Sequence, residues 1–401
     1  MKRANRWTGA AILACAAAAP ALAHDMAQME GMEEAAPSSR QPQVLSLDVY
    51  RDGGSLHLLT GERAAGAEQA MLLYRHSVDD GRSWSAPVKV NGRSAPFGLH
   101  RGGDAQLAAD GRKLVAAWTI AGSGWGGSGP IATAVSADGG RTWRPGANPA
   151  DDQATTGHSF IDIAAAQGRF HMVWLDTRDD GGQGLRYARS ADGGRHWSAN
   201  STIAAHSCEC CWNSLLAGAG SALYVLFRDG EPRDMSLAAS SDAGAHWSRR
   251  GAVAAFGWDV KACPHVGGAL VSAAPQTLDA LSWTGREGRV GLYHVRSNDA
   301  GASWGEPQRI GNDSARHADL ASARDGALAV VWDESSGGES RILAQTSSDG
   351  GAHWSAARRL SAAAVHPTHP RVVAVADGFL ALWTEVDGKG GSALETARIS
   401  R

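Results

Sequence analysis

Apolar and polar positions alternate over short stretches, and the stretches repeat. An apolar strand, a Gly-containing turn and an alternating strand that often closes on Trp recur seven times along the chain. The first copy is Val44 to Thr60, the next two close as Lys113-Leu-Val-Ala-Ala-Trp118 and Phe170-His-Met-Val-Trp174, and the later ones close at Phe227, Trp283, Trp332 and Trp383. Period-two patterning bounded by turn residues predicts half-buried strands, and long runs of helical period are scarce. Fifty glycines and fifteen tryptophans fit an all-β chain of tight turns and aromatic-plugged sheets.

Between these strand pairs lies a second, stricter repeat, Ser-x-Asp-x-Gly-x-x-Trp, whose six copies begin at Ser77, Ser136, Ser190, Ser240, Ser297 and Ser347. Their separations of 59, 54, 50, 57 and 50 residues are the length of one four-stranded propeller blade. Within each copy the carboxylate is expected to accept N–H bonds from its own turn, Gly to supply a positive φ, and Trp to cover the blade edge. The motif therefore folds the blade and catalyses nothing. A seventh strand pair follows the last box, and the chain runs out at Ser400, 53 residues beyond Ser347. This predicts an all-β, seven-bladed β-propeller of four-stranded antiparallel blades, the last lacking its outer strand, closed by an N-terminal strand near residues 38–46 pairing into blade seven. Six blades is the alternative.

Lys2, Arg3 and Arg6 precede an apolar run, Trp7 to Ala19, and Ala21-Leu22-Ala23 has the small-x-small pattern of a cleaved leader. The expected organisation is a signal peptide over 1–23, a Met/His/Glu-rich flexible tail over 24–43 and the propeller over 44–401, with a periplasmic or secreted location. A lipid-modified Cys15 is the less favoured reading, since Leu13 is bulky for that site. No later stretch has the uninterrupted apolar length of a spanning helix. The formal charge is −3, and removing the three basic leader residues leaves −6, which speaks against a nucleic-acid partner.

The loops leading into successive inner strands read Leu99-His100-Arg101, Gly157-His158-Ser159, Cys208-Glu-Cys-Cys-Trp212, Cys263-Pro-His265, Arg316-His317 and His366-Pro-Thr-His369-Pro-Arg371. A His or Cys recurs at similar phase in six of the seven repeats, which predicts a ring around the channel mouth. Loops at the same end add Asp176, Arg178, Asp179, Arg228, Asp229, Glu231, Arg233, Asp234, Asp333, Glu334 and Glu385. Thiolates from Cys208, Cys210, Cys211 and Cys263 with the His265 imidazole form a soft donor set suited to copper. The tail offers a second soft set in His24, Met26, Met29 and Met32. Zinc would accept the Cys/His set equally and leave the methionines unexplained. Disulfides clamping blade four to blade five are the structural alternative, against which stands the limited freedom of adjacent Cys210 and Cys211.

The six boxes resemble the Asp-box, or BNR-repeat, family best known from sialidases, over nearly the whole chain after the tail. The resemblance implies an exo-sialidase or related glycoside hydrolase as an alternative, with an arginine triad gripping a carboxylate, a Tyr nucleophile and an Asp acid/base. The family's Arg-Ile-Pro type motif is absent, and Tyr50, Tyr74, Tyr187, Tyr224 and Tyr293 all fall within predicted strands. The hydrolase candidates that remain are Arg101, Arg228, Arg233, Arg371, Asp229 and Glu231, with Asp104 beside them. A third reading is a non-catalytic module that binds a glycan or protein at the mouth, with Arg228-Asp-Gly-Glu-Pro-Arg-Asp234 as its candidate loop.

Overall fold

The computed structural model describes residues 41–401 apart from 125–126, 153–156, 179–181 and 364. The expected leader and the tail residues His24, Met26, Met29 and Met32 lie outside the described residues, as does Asp179. Seven antiparallel sheets follow one another along the chain, six of four strands and the last of three, and no α-helix occurs among the described residues. Their first strands are Gln43–Asp52, Gln106–Asp110, His158–Ala166, Ser214–Ala217, Ala269–Ala274, Arg316–Ser322 and His366–Val375. Each first strand touches the next, and the seventh touches the first, so these strands wall a central channel. The chain is a seven-bladed propeller, and six blades is excluded.

Closure differs from the expected strand exchange. Gln43–Asp52 pairs with Ser55–Arg63, from Gln43 opposite Arg63 to Asp52 opposite Ser55, as the inner strand of blade one. Blade seven keeps three strands among the described residues. The chain ends are joined instead by single hydrogen bonds at one corner. Ser392 N donates to Pro42 O at 3.1 Å, Val44 N donates to Ser392 Oγ at 2.7 Å, and Gln43 Nε2 donates to Gly390 O at 2.9 Å.

The boxes form as their residue types require. In blade two, Ser136 Oγ donates to Asp138 Oδ1 (2.9 Å) and accepts from Gly140 N (2.9 Å), while Thr142 N and Thr142 Oγ1 donate to the two carboxylate oxygens at 3.0 and 2.7 Å. The same bonds recur from Ser77 through Ser347. Hydrogen bonding to the ionised form holds the box carboxylates well below the usual range. The Trp does more than cover an edge: Trp143 meets Tyr74 of the preceding blade edge-on at 5.4 Å, and Trp247 meets Tyr187 at 5.0 Å. The box is thus an inter-blade lock. Its Gly is required twice over, because Gly140 has φ 84° and a Cβ there would stand 2.0 Å from Tyr74 Cε1.

The core lies between blades, as aromatic and aliphatic layers such as Trp258, Leu281, Trp283, Leu328 and Trp332. Each buried strand-two Trp brings a polar indole N–H that needs an acceptor. Trp174, Trp332 and Trp383 donate to Asp176, Glu334 and Glu385 at 3.0, 3.0 and 2.8 Å, each acceptor two residues further along the same face of the strand.

Candidate functional site

Around the channel, one position in six of the seven inner strands projects inward: Asp48, Gln106, Asp162, Ser214, Asp319 and Arg371. Each pairs with the residue just ahead of, or equivalent to, the strand-two aromatic, as in Asp162 opposite Val173 and Asp319 opposite Val331. Asp48, Asp162 and Asp319 accept the backbone N–H of the next blade's inner strand, from Leu107 (2.7 Å), Leu215 (2.6 Å) and Val372 (2.9 Å). These carboxylates stitch blades together and at the same time face Arg371. Burial pushes Asp48 up to about 6 and Asp162 up to about 7, with Arg371 pulling against it. Burial pulls Arg371 down, but Asp319, Asp104, Asp48 and Asp162 together outweigh it, so its affinity for the proton rises.

Above this charged layer the mouth is capped. Trp212 lies 5.8 Å from His317 and 5.9 Å from His369, ring centre to ring centre, and the two imidazoles stack at 3.7 Å and 14°. A Cβ at Gly267 would stand 2.4 Å from the Trp212 ring, and one at Gly102 would stand 3.6 Å from its far side. Loops from blades two, four, five, six and seven therefore converge on the axis, as the phase of the His and Cys residues predicts. The cavity beneath is only about 50 Å³. Ligand pockets run to roughly 300–1,000 Å³, so a few waters fit there and a sugar ring does not.

The cysteines lie beside this cap. Cys208, Cys210 and Cys211 are buried, with Cys208 Sγ 3.1 Å from Cys211 Sγ and 3.8 Å from Cys210 Sγ. Half-buried Cys263 packs against them and interacts with the Cys210 thiol. The expected disulfides are not formed among the described residues: all four are free thiols, and 3.1 Å is far beyond an S–S bond of about 2.05 Å. Hydrogen bonds from the Cys210 and Cys211 thiols, against burial, favour the Cys208 thiolate; the contact with Cys208 holds the Cys210 proton in place, and burial, then that contact, holds the Cys211 proton. Arg233 Nη1 adds a hydrogen bond to Cys208 Sγ at 3.1 Å. His265 is not among the side chains whose ligand atoms converge with the sulfurs, although its φ of 49° marks it as a turn residue.

The hydrolase candidates are spread through the framework. Arg228, 1% exposed, donates to the carbonyls of Val266, Trp283 and Arg233 at 2.6–3.1 Å, locking blade four to blade five. Arg101 donates to Thr384 Oγ1 (3.2 Å), His369 O (2.6 Å) and Asp104. Arg233 is held by Glu209 (2.8 Å), Val260 O and Cys208. Asp229 accepts from Ser236 Oγ and Arg249, and Glu231 is exposed. Only Arg371 faces the channel, and carboxylates ring it. All five tyrosines sit in strands, as predicted. Asp176, Glu334 and Glu385, which sequence order places at the mouth, serve the tryptophans. The sequence pattern flags His317 and His369 but gives neither a ligand role, and Trp212 is visible only as the end of the Cys-rich run.

Fold and boxes together define a BNR-type propeller. A family model described as a BNR repeat-like domain matches residues 3–255, more than half the chain, and the chain belongs to that family. No curated protein matches the sequence. Among solved structures, an ulvan lyase is similar with a TM-score of 0.60 at 10% identity, over 91% of this chain and 94% of that one. The Hadza microbial sialidase Hz136 is similar with a TM-score of 0.50 at 15% identity, over 82% of this chain and 74% of that one. The NanB sialidase of Streptococcus pneumoniae aligns with a TM-score of 0.48 at 12% identity, over 91% of this chain and 68% of that one. At these identities the likeness is one of fold. No helix among the described residues is long and apolar enough to cross a membrane.

Proposed function

We propose that the chain is an exported propeller that binds a thiophilic metal, Cu(I), through Cys208, Cys210, Cys211 and Cys263 beside the channel mouth. One observation carries the reading: three buried sulfurs from a four-residue run lie within 4.8 Å of one another, and half-buried Cys263 from the next blade's loop packs against them. Thiolates in a dry, compact set favour Cu(I) over harder cations. The Arg233 guanidinium supports a thiolate at Cys208 before any metal arrives. His265 drops out of the ligand set. The tail methionines stay as a second soft site for delivery to the cluster.

The test is elemental analysis and anaerobic Cu(I) competition on reduced protein produced in the periplasm, with thiols counted by intact mass on the same sample. Two bound Cu(I), one lost in Cys208→Ser and Cys211→Ser and the other lost without residues 24–36, support the reading. Protein that leaves the periplasm with its four propeller cysteines oxidised, or that takes up no copper when they are reduced, ends it.

A further inference from the structure

The geometry points to a second metal site at the centre of the mouth, where His317 and His369 hold a borderline divalent cation of the Zn²⁺ type through their Nε2 atoms. It does not rest on the cysteine reading. His317 Nδ1 lies 3.0 and 2.8 Å from the two oxygens of Asp333, and a carboxylate only accepts, so Nδ1 carries the hydrogen. Thr368 Oγ1 donates its single proton to Asp333 Oδ2 at 3.1 Å, so the 2.7 Å contact with His369 Nδ1 has the imidazole as donor. Both rings therefore present a lone pair at Nε2. A carboxylate fixing Nδ1–H is the usual outer support of a metal-bound histidine.

The two rings turn Nδ1 toward Asp333 and Thr368, and they are stacked nearly parallel, so both Nε2 atoms look the opposite way. None of the described residues hydrogen-bonds either one. His369 Nε2 faces Gly102, where a Cβ would stand 3.1 Å away, so the glycine leaves open the space an ion needs. Both histidines adopt left-handed backbone, φ 44° and 47°, two residues ahead of Asp319 and Arg371 respectively. The same unusual turn in consecutive blades aims both imidazoles at the axis. His100, outside the group whose ligand atoms converge, has the same tautomer: Nδ1 donates to Arg101 O at 3.1 Å, and Nε2 lies against Gly103.

One ligand atom each from His317, His369 and Asp333 lie within 4.8 Å of one another; the Asp333 oxygens stand on the Nδ1 side as outer support, and the two Nε2 lone pairs meet on one ion when the stacked rings splay apart. Arg101 and Arg371 are the cations that face His369, and Asp48, Asp104, Asp162 and Asp319 surround Arg371. Imidazole donors suit Zn²⁺, Co²⁺ and Cu²⁺, so the class is borderline rather than soft.

The experiment is Co²⁺ titration of the reduced full chain followed by visible absorption, with Zn²⁺ as competitor. A nitrogen- and oxygen-ligated Co²⁺ shows d–d bands without the near-ultraviolet bands of thiolate ligation. We expect such bands at one equivalent, retained in Cys208→Ser. Affinity should fall at least tenfold in His317→Ala and His369→Ala, and about 10–100-fold in Asp333→Asn. Should His369→Ala fail to fold, the better-exposed His317→Ala carries the test alone. Bands of unchanged affinity and intensity in His317→Ala overturn the inference. Failure of the reduced cysteines to take up Cu(I), with these d–d bands unchanged, would sink the cysteine site and leave this one standing.

Discussion

Asp48→Asn should make the propeller more stable at pH 8 than at pH 4.5 relative to the unsubstituted chain. Asp48 is 9% exposed, accepts the Leu107 N–H at 2.7 Å, and is pushed up to about 6 from 3.8 chiefly by burial. A carboxyl raised in the folded state binds its proton more tightly there than in the unfolded chain. Its contribution is therefore most favourable at low pH and is lost as pH rises through the interval between the two values. At 1.36 kcal/mol per pH unit the full loss is about 3 kcal/mol, of which about 2 kcal/mol falls between pH 4.5 and 8. Asparagine keeps an oxygen for Leu107 N and never ionises, so the variant escapes that loss. Titrating groups remote from Asp48 cancel in the difference, and Asp162, whose proton affinity the Asp48 charge raises, shifts it in the same direction. Urea midpoints at the two pH values, converted with a shared m-value, give the quantity directly. A stability difference that is independent of pH, or one that favours the variant more at pH 4.5, would refute the account of a desolvated carboxylate opposed by Arg371.

Arg228→Met should destabilise by about 3–5 kcal/mol in denaturant unfolding, because the carbonyls of Val266, Trp283 and Arg233 lose their buried donor; an unchanged midpoint would mean water replaces the guanidinium. Gly139 and Gly140 offer a paired control on the blade lock. Gly139→Ala, with φ 78° and nothing within 4 Å, should cost about 1 kcal/mol, whereas Gly140→Ala must also displace Tyr74 and should cost at least ~2 kcal/mol more. Thiol titration of the folded chain should count at most the half-buried Cys263 among the propeller cysteines, with the other three appearing only in denaturant. Rapid labelling of all four in buffer would show the cluster to be open.

The fold was legible because its signals are local and repeated. Box residues within eight positions make the turn, and the strand-two patterns count the blades. Closure was not legible, since Ser392 and Val44 are 348 residues apart and nothing in either segment marks the other. The partners of the mouth acids were hidden for a related reason: Trp174 and Asp176 are two residues apart, yet only the burial of the indole shows that its N–H needs that carboxylate. Phase along the chain found the histidines of the axis. It could not say that a glycine in another blade leaves His369 Nε2 uncovered.

What the mouth can hold follows from which charges are already matched. Arg101, Arg228 and Arg233 have their donors on carbonyls, carboxylates and a sulfur within the framework, so binding a ligand carboxylate through them would first break bonds that join blades. Arg371 faces Asp48, Asp104, Asp162 and Asp319, and an incoming sugar carboxylate would meet four carboxyl groups around one guanidinium. A cation meets the opposite balance. Its approach lowers the proton affinity of Asp48 and Asp162, which sit near neutrality at about 6 and 7, so the layer under the mouth gains negative charge as the ion arrives. Binding should then release protons. Zn²⁺ titrations run in two buffers of different ionisation enthalpy at pH 6.5 should yield different apparent heats. Identical heats in the two buffers would show that the aspartate layer does not respond to the ion.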